Sequence, residues 1–402
     1  MSEQQPFTIL CLASYHKGSD FMEEAKALGC RVLLVTKEKL ADEDWPRHAI
    51  DERFLMDDLT RRPDIIYAVS YLARTRRIDA IIPLDDFDVE TTAALREHLR
   101  LPGMGDTLAR FFRDKLAMRM QASRAGIRVP AFVPVINYDD LQQFMNQVEP
   151  PWVLKPRSQA GAMGIRKVHA PAELWPILDE LGDRQSFFLL EEFVTGDIFH
   201  VDSIVSEKKI VFAEVHKYKQ PPLTVSHEGG VFMTRTLPRD EDEVRLLNGL
   251  NAEILDALGM ARGVSHAEFI KGSGDEEFYF LEVAARVGGA NIAEMIEFAT
   301  GVNLWREWAR IEVAQLSGKP YSLPEADERY AGIAICLARQ EAPDLSNYDA
   351  PEVVWRLEKA HHAGLIVASS EQRRIEQLLD EYGARFGQDF LTWVPPLDEA
   401  PA

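Results

Sequence analysis

Glu268 and Glu282 each sit inside an apolar run, and the two runs are joined by Gly272-Ser273-Gly274-Asp275. A glycine-rich turn between alternating apolar segments reads as a β-hairpin. With the turn centred near Asp275, the two carboxylates lie opposite each other on neighbouring strands and on one face. Like charges at cross-strand distance repel, whereas a divalent cation between them would turn the repulsion into a pair of oxygen ligands suited to Mg²⁺. The same parity brings His266, Ala284 and Arg286 to the carboxylate face and sends Ala267, Phe269, Leu281 and Val283 to the opposite, apolar face. An exposed hairpin whose polar side is acidic would contain the same residues, so this segment alone leaves both readings open.

Two further segments carry groups that suit a phosphate ligand. Residues 151–156 read as a short apolar strand containing Lys155, followed by a small-residue loop, 158–164, with Gly161 and Gly164. An ammonium on a rigid strand supplies a point charge, and such a loop supplies backbone N–H donors. Residues 187–194 read as a buried strand that breaks at Thr195-Gly196-Asp197 and resumes from Ile198 to Ser206. The Glu191-Glu192 pair inside it needs polar partners, because buried carboxylates are costly when unpaired. An adenine amino group and ribose hydroxyls would serve.

The order Asp114-Lys115, Lys155, glycine-rich loop, Glu191-Glu192-Phe193-Val194 with Gly196-Asp197, then Glu268, Glu282 and Arg286, resembles the ATP-grasp superfamily of carboxylate–amine ligases over residues 105–310. The stretch Glu282-Val283-Ala284-Ala285-Arg286-Val287-Gly288-Gly289 is most similar to the branch that joins amino acids into dipeptides. The resemblance implies ATP with Mg²⁺, or Mn²⁺ in its place, and a small carboxylate and an amine as substrates. Lys115 and Lys155 would bind the triphosphate under a closing loop from Gly161 to Gly164. Glu191, Phe193 and Val194 would form the adenine hinge, and Asp197 would hold the ribose hydroxyls. Glu268 and Glu282 would hold the metal, and Arg286, with Lys155, would stabilise the phosphoryl group in flight.

One position departs from the family pattern. Where relatives commonly write Glu-x-Asn, this chain has Ala284, so a second Mg²⁺ would need water, bridging phosphate oxygens or Asn291 to complete its octahedron. The implied reaction activates a carboxylate, an amino acid foremost, as an acyl phosphate and passes it to an amine, releasing ADP and phosphate. A ligase of purine, cell-wall or secondary-metabolite assembly with another acceptor, or a nucleotide-binding module without turnover, would present the same residues.

At 402 residues the chain is long enough for two to three domains. Its net charge of −20 argues against nucleic acid and anionic membranes as partners, since both demand basic surfaces. The apolar run within residues 1–16 is too short for a secretory h-region or a membrane span and lacks a basic flank. Cys11, Cys30 and Cys336 have no metal-ligand spacing and read as reduced core thiols. A cytoplasmic enzyme is expected, compatible with a homodimer.

Alternating strand and helix patterns over residues 1–104 predict a doubly wound, Rossmann-like α/β domain with a parallel sheet preceding the ATP-grasp region. Its first turn, 13–18, lacks Gly-x-Gly-x-x-Gly, so a dinucleotide is not supported. A helix over 107–125 carries Lys115. Residues 105–315 are expected to form a two-lobed α+β ATP-grasp fold with antiparallel sheets, the small lobe over 130–195 and the large lobe over 196–315. A long polar loop, 217–230, with Lys217 and His227, is a candidate substrate lid. Residues 316–402 are expected to form a C-terminal lobe with a strand over 330–337, short strands within 350–365, a helix over 371–386 and a loose tail from Pro395-Pro396.

Overall fold

The computed structural model describes residues 5–395. At its N-terminus β1 (Thr8–Ala13), β2 (Arg31–Lys37), β3 (Glu52–Met56) and β4 (Ala80–Pro83) form a parallel sheet in the order β3-β2-β1-β4. All residues of β1 and β4 are buried, as strands covered on both faces must be. Helix α1 (Ser19–Ala27) covers one face through Phe21, Met22 and Ala25. Helices α2 (Arg62–Ala73) and α3 (Val89–Leu99) cover the other through Ile65, Val69 and Leu95. Strand β3 has no clear signal in the sequence because it is an edge strand that alternates between half-buried and exposed.

The helix expected over 107–125 is two helices, α4 (Asp106–Arg110) and α5 (Lys115–Arg124). The break lies at Asp114, whose carboxylate accepts from the backbone N–H groups of Leu116 and Ala117 and so starts a new helix. Lys115 thereby becomes the first residue of α5, and its own N–H donates to the Arg157 carbonyl at 2.7 Å.

The small lobe consists of β5 (Phe132–Pro134), α6 (Tyr138–Gln147), β6 (Trp152–Pro156), β7 (Arg166–Val168), α7 (Pro171–Leu181) and β8 (Phe188–Glu192). Its four strands form an antiparallel sheet, β5-β8-β6-β7. The large lobe is built on a second, eight-stranded antiparallel sheet, with β9 (Gly196–Ser206), β10 (Lys209–Tyr218), β11 (Phe232–Thr236), β12 (Gly263–Gly272), β13 (Phe278–Ala284), β14 (Tyr330–Leu337), β15 (Val353–Arg356) and β16 (His362–Ser369) in the order β13-β12-β9-β10-β11-β14-β16-β15. The last three strands, read from sequence as part of a C-terminal lobe, extend this sheet. The segment read as a long loop, 217–230, contains a short helix, α8 (Pro222–Glu228). Helices α9 (Asp242–Ala257), α10 (Ile292–Thr300), α11 (Leu304–Ser317) and α12 (Gln372–Asp389) follow. The tail expected from Pro395-Pro396 lies, from residue 396 on, outside the described residues.

The large sheet is two-sided. Phe199, Val201, Ala267, Phe269 and Val283 pack on one face against Met118 of α5 and Val244, Leu247 and Ile254 of α9. On the other face Ile204 and Val264 join Met295 and Trp308 of α10 and α11 and Phe21 of α1 in one core, which welds the N-terminal domain to the large lobe. His200, Asp202, His266 and Glu268 alternate with the first set along β9 and β12 and so lie on this second face.

The strand signal that runs across 187–206 changes sheet partway. β8 ends at Glu192 and β9 begins at Gly196, so Phe193, Val194 and Thr195 form the connection between the lobes. Gly196 lies flat against β12, and a Cβ there would run into the backbone carbonyl of Lys271. Gly196→Ala is expected to lower stability by about 1–3 kcal/mol through this overpacking. Gly274→Ala, in open space at the hairpin turn, should change little; paired thermal melts of the two variants check this.

Candidate functional site

The hairpin places Glu268 directly opposite Glu282 and His266 opposite Ala284. A register shift then pairs Phe269 with Phe280 and leaves Leu281 without a partner. This bulge overturns one expectation: Leu281 lines the cavity beside the glutamates instead of packing behind them, and its carbonyl accepts from Arg119.

A cavity of about 580 Å³ opens between the two sheets. Val153, Lys155 and Ile165 of the small lobe line one side; Glu268, Ile270, Leu281 and Glu282 of the hairpin line the other. The connection Phe193–Thr195, Lys115, Gly161 and residues of α8 complete the wall. The apolar groups form a slot fit for a flat ring, and the charged groups collect at Lys115, Lys155 and the glutamates.

Lys115, Lys155 and Glu282 are each paired with a partner from another element. Lys115 Nζ lies 2.9 Å from Glu282 Oε2 and donates to the Gln159 carbonyl at 2.8 Å. Burial alone would raise the Glu282 carboxyl, but the charge and hydrogen bond of Lys115 hold it below the usual range. Glu191 is buried between Lys155 and the fully buried Arg119, whose Nε donates to its Oε2 at 2.7 Å. Burial would raise this carboxyl too, and the two cations hold it down. Burial wins at Lys155, whose ammonium is pulled below its ordinary range despite Glu191. Arg119 contacts β8 through Glu191 and β13 through Leu281, so it clips the two lobes together at the cavity.

Glu268 is held differently. The Tyr218 hydroxyl donates to its Oε1 at 2.9 Å, and His266 Nε2 lies 3.4 Å from the same oxygen. His266 Nδ1 is 2.9 Å from Asp202 Oδ1, and His200 Nδ1 is 2.6 Å from Asp202 Oδ2. Burial would raise the Asp202 carboxyl, but the charges of His266 and His200 hold it well below the usual range. Burial would likewise lower His266, yet the Asp202 charge and the hydrogen bonds to Asp202 and Glu268 push it up to about 10. The two therefore form a buried ion pair.

Arg286 is anchored by the N-terminal domain. Its Nε donates at 2.7 Å to Oδ2 of Asp86, a residue just beyond the C-terminal end of β4. Burial would raise the Asp86 carboxyl, and Arg286 and Arg113 bring it down to about 2. Arg286, His266 and Ala284 line a smaller cleft that shares Lys115, Gly161 and Glu282 with the main cavity.

The structure thus gathers Lys115, Lys155, Gly161, Phe193, Val194, Glu268 and Glu282 around one cavity, with Arg286 at its margin. Other sequence candidates fall elsewhere. Glu191 lines the wall, with its carboxylate paired to Arg119 and Lys155. Gly164 is not part of the wall. Asp197 points outward on β9 and pairs with Lys217 at 2.6 Å. Asn291 starts α10 in a left-handed conformation (φ 58°) and donates to Glu294 Oε1 at 3.1 Å, away from both clefts. His227 Nε2 sits 3.3 Å from the Ala162 carbonyl, so α8 touches the glycine-rich loop. Sequence reasoning missed Asp86, Arg119, Tyr218, His200 and Asp202. A signal for two of them exists: His200-x-Asp202 and His266-x-Glu268 repeat one polar alternation inside buried strands.

The residues present fit a hard divalent cation. Two carboxylates face each other across the ladder, and no described hydrogen bond or ion pair falls on Glu282 Oε1, nor any described hydrogen bond on Glu268 Oε2.

Comparison with known proteins agrees with this architecture. The family profile of the ATP-grasp N-terminal domain matches residues 22–103, and that of the ATP-grasp domain matches residues 148–294. An L-arginine-specific L-amino acid ligase of Bacillus subtilis is 24% identical over 273 residues, covering 66% of this chain and 65% of that protein. An alanine–anticapsin ligase of the same organism is 23% identical over 265 residues, 60% of this chain and 55% of its own length. The chain therefore spans less than two thirds of the length of these curated relatives. The crystal structure of an L-amino acid ligase from Bacillus licheniformis superposes with a TM-score of 0.76 at 18% identity, covering 97% of this chain and 100% of that one.

The Lys115–Glu282 contact makes a stability prediction opposite to simple relief of repulsion between the glutamates. Glu282→Gln leaves Lys115, itself buried, without its charge partner and should lose about 1–2 kcal/mol at neutral pH. The folded carboxyl lies below its ordinary value of 4.5, so this contribution is complete above that pH and is lost as pH falls through the folded value. Urea titrations of parent and variant should show their difference shrinking in acid.

Proposed function

As this chain belongs to the ATP-grasp superfamily, we propose that it is an ATP-dependent carboxylate–amine ligase that activates an amino acid and joins it to an amine, releasing ADP and phosphate. The observation that carries the reading is the opposed Glu268–Glu282 pair facing one cavity with Lys115 and Lys155. The amino-acid ligase relatives named above support the choice of substrate class.

In this reading the apolar slot between Val153, Ile165 and Leu281 takes the adenine ring, with the backbone of Phe193 and Val194 at its edge. Lys115 and Lys155 meet the phosphates, and Gly161 lets the loop backbone approach them closely. Glu268 and Glu282 would hold Mg²⁺, which neutralises triphosphate charge when bound. Arg286, oriented by Asp86, would supply the planar cation that a carboxylate receiving the γ-phosphoryl group needs. A carboxylate is a poor electrophile because oxide is a poor leaving group; as an acyl phosphate it loses phosphate when an amine attacks. Contact of α8 with the glycine-rich loop would help exclude water from that intermediate. Because the cleft beside Arg286 is walled by Asp86, the N-terminal domain takes part in the carboxylate site.

A screen of amino-acid pairs with phosphate release and chromatography of the nucleotide products tests the proposal. The expected outcome is ADP formation that depends on added amino acids, with an amide product of matching mass. AMP as the main product, or phosphate release indifferent to every amino acid, would overturn it. Arg286→Lys keeps the charge but loses the fork, and should lower kcat by about 100-fold or more in the same assay.

A further inference from the structure

Glu268 is gripped on one side only. Tyr218 and His266 both converge on Oε1, and no described hydrogen bond falls on Oε2. Behind His266 the chain of contacts continues into the sheet: Asp202 takes His266 on one oxygen and His200 on the other, and His200 Nε2 meets Thr234 Oγ1 at 2.8 Å. The register of β9 against β12 builds this arrangement, setting Asp202 opposite His266 and His200 opposite Glu268. Asp202 and His200 are wholly shielded from solvent, so the anchor has no competing water.

We propose that Asp202 and Tyr218, acting with His266, are positioning residues that present Glu268 to a divalent cation through a single fixed oxygen, Oε2. The inference rests on the assignment of Glu268 as a metal ligand in the proposed function and goes beyond it. Mg²⁺ demands near-octahedral geometry, and a glutamate free to rotate could offer it two oxygens, one, or none. Holding Oε1 removes that freedom before the metal arrives, as partners behind a metal ligand generally do. The Asp202–His266 pair also underlies the loop that follows Arg286. Gly288 packs against it so closely that a Cβ would lie 2.9 Å from Asp202 Oδ1 and 3.1 Å from His266 Nδ1. The loop that follows Arg286 therefore rests on the group that aims Glu268.

Binding of Mn²⁺ to the protein with ADP, followed by electron paramagnetic resonance without turnover, provides the test. His266→Asn keeps an N–H for Asp202 but cannot reach Glu268, and Tyr218→Phe removes one hydroxyl. Each should weaken Mn²⁺ about tenfold or more while leaving ADP affinity in EDTA within about twofold of the parent. His266→Gln, whose longer amide can reach Glu268, should recover part of the loss. Asp202→Asn removes a buried charge and is read only alongside these milder variants. If both His266→Asn and Tyr218→Phe bind Mn²⁺ like the parent while Glu268→Gln does not, the positioning role is overturned and the metal site stands. If Glu268→Gln also binds like the parent, the metal assignment fails and takes this inference with it.

Discussion

Two carboxylates opposed across a β-ladder are the constraint around which this site is built. Like charges set opposite each other on one face repel, which destabilises the hairpin end unless cations answer it. Each glutamate has its own. Lys115 reaches Glu282 from the first turn of α5, and His266 reaches Glu268 from the same strand, held charged by Asp202 beneath it. The rest of the local structure follows. Helix α5 must begin at Asp114 for Lys115 to arrive at that height, and β9 must pair with β12 in the observed register for Asp202 to underlie His266.

The same electrostatic logic ties the three parts of the chain together. Arg119 joins β8 to β13, Arg286 joins the hairpin to Asp86 of the N-terminal domain, and one apolar core runs from α1 through α10 and α11 to the large sheet. Long charged contacts alone would be weak fasteners, since exposed pairs contribute little. These are buried, and breaking one partner leaves an uncompensated charge. The cost of separation is therefore high at the points where the site is assembled from different domains.

Much of this was legible because period and parity act locally. The opposition of Glu268 and Glu282 and the strand break at Thr195-Gly196-Asp197 follow from strand alternation and a glycine. What was not legible depends on register between distant segments. Leu281 changes face because of a single-residue slip, which no alternation pattern announces. Glu191 reads as part of an adenine hinge, but the pairing of its carboxylate with Arg119, contributed by α5, could not be read. Asn291 has the right chemistry for a metal but the wrong backbone, since its left-handed conformation opens α10 and turns the side chain to Glu294. The three C-terminal strands could be read individually, but not that they would join the sheet of the large lobe.

In this acidic chain the few cations of the candidate site are paired with carboxylates. Here Lys115 is held by Glu282, and Lys155 by Glu191. Under the proposed chemistry, Glu282 would turn to a divalent cation bound with the triphosphate, and Lys115 would then pair with the phosphates. In that exchange neither Lys115 nor Glu282 would be left unpaired, which would keep the desolvation cost low for this pair. Lys155 has no such exchange, because Glu191 is also pinned by Arg119 and stays in place. Its ammonium is pulled down by burial, so a phosphate bound beside it would add a second anionic partner and favour the charged form.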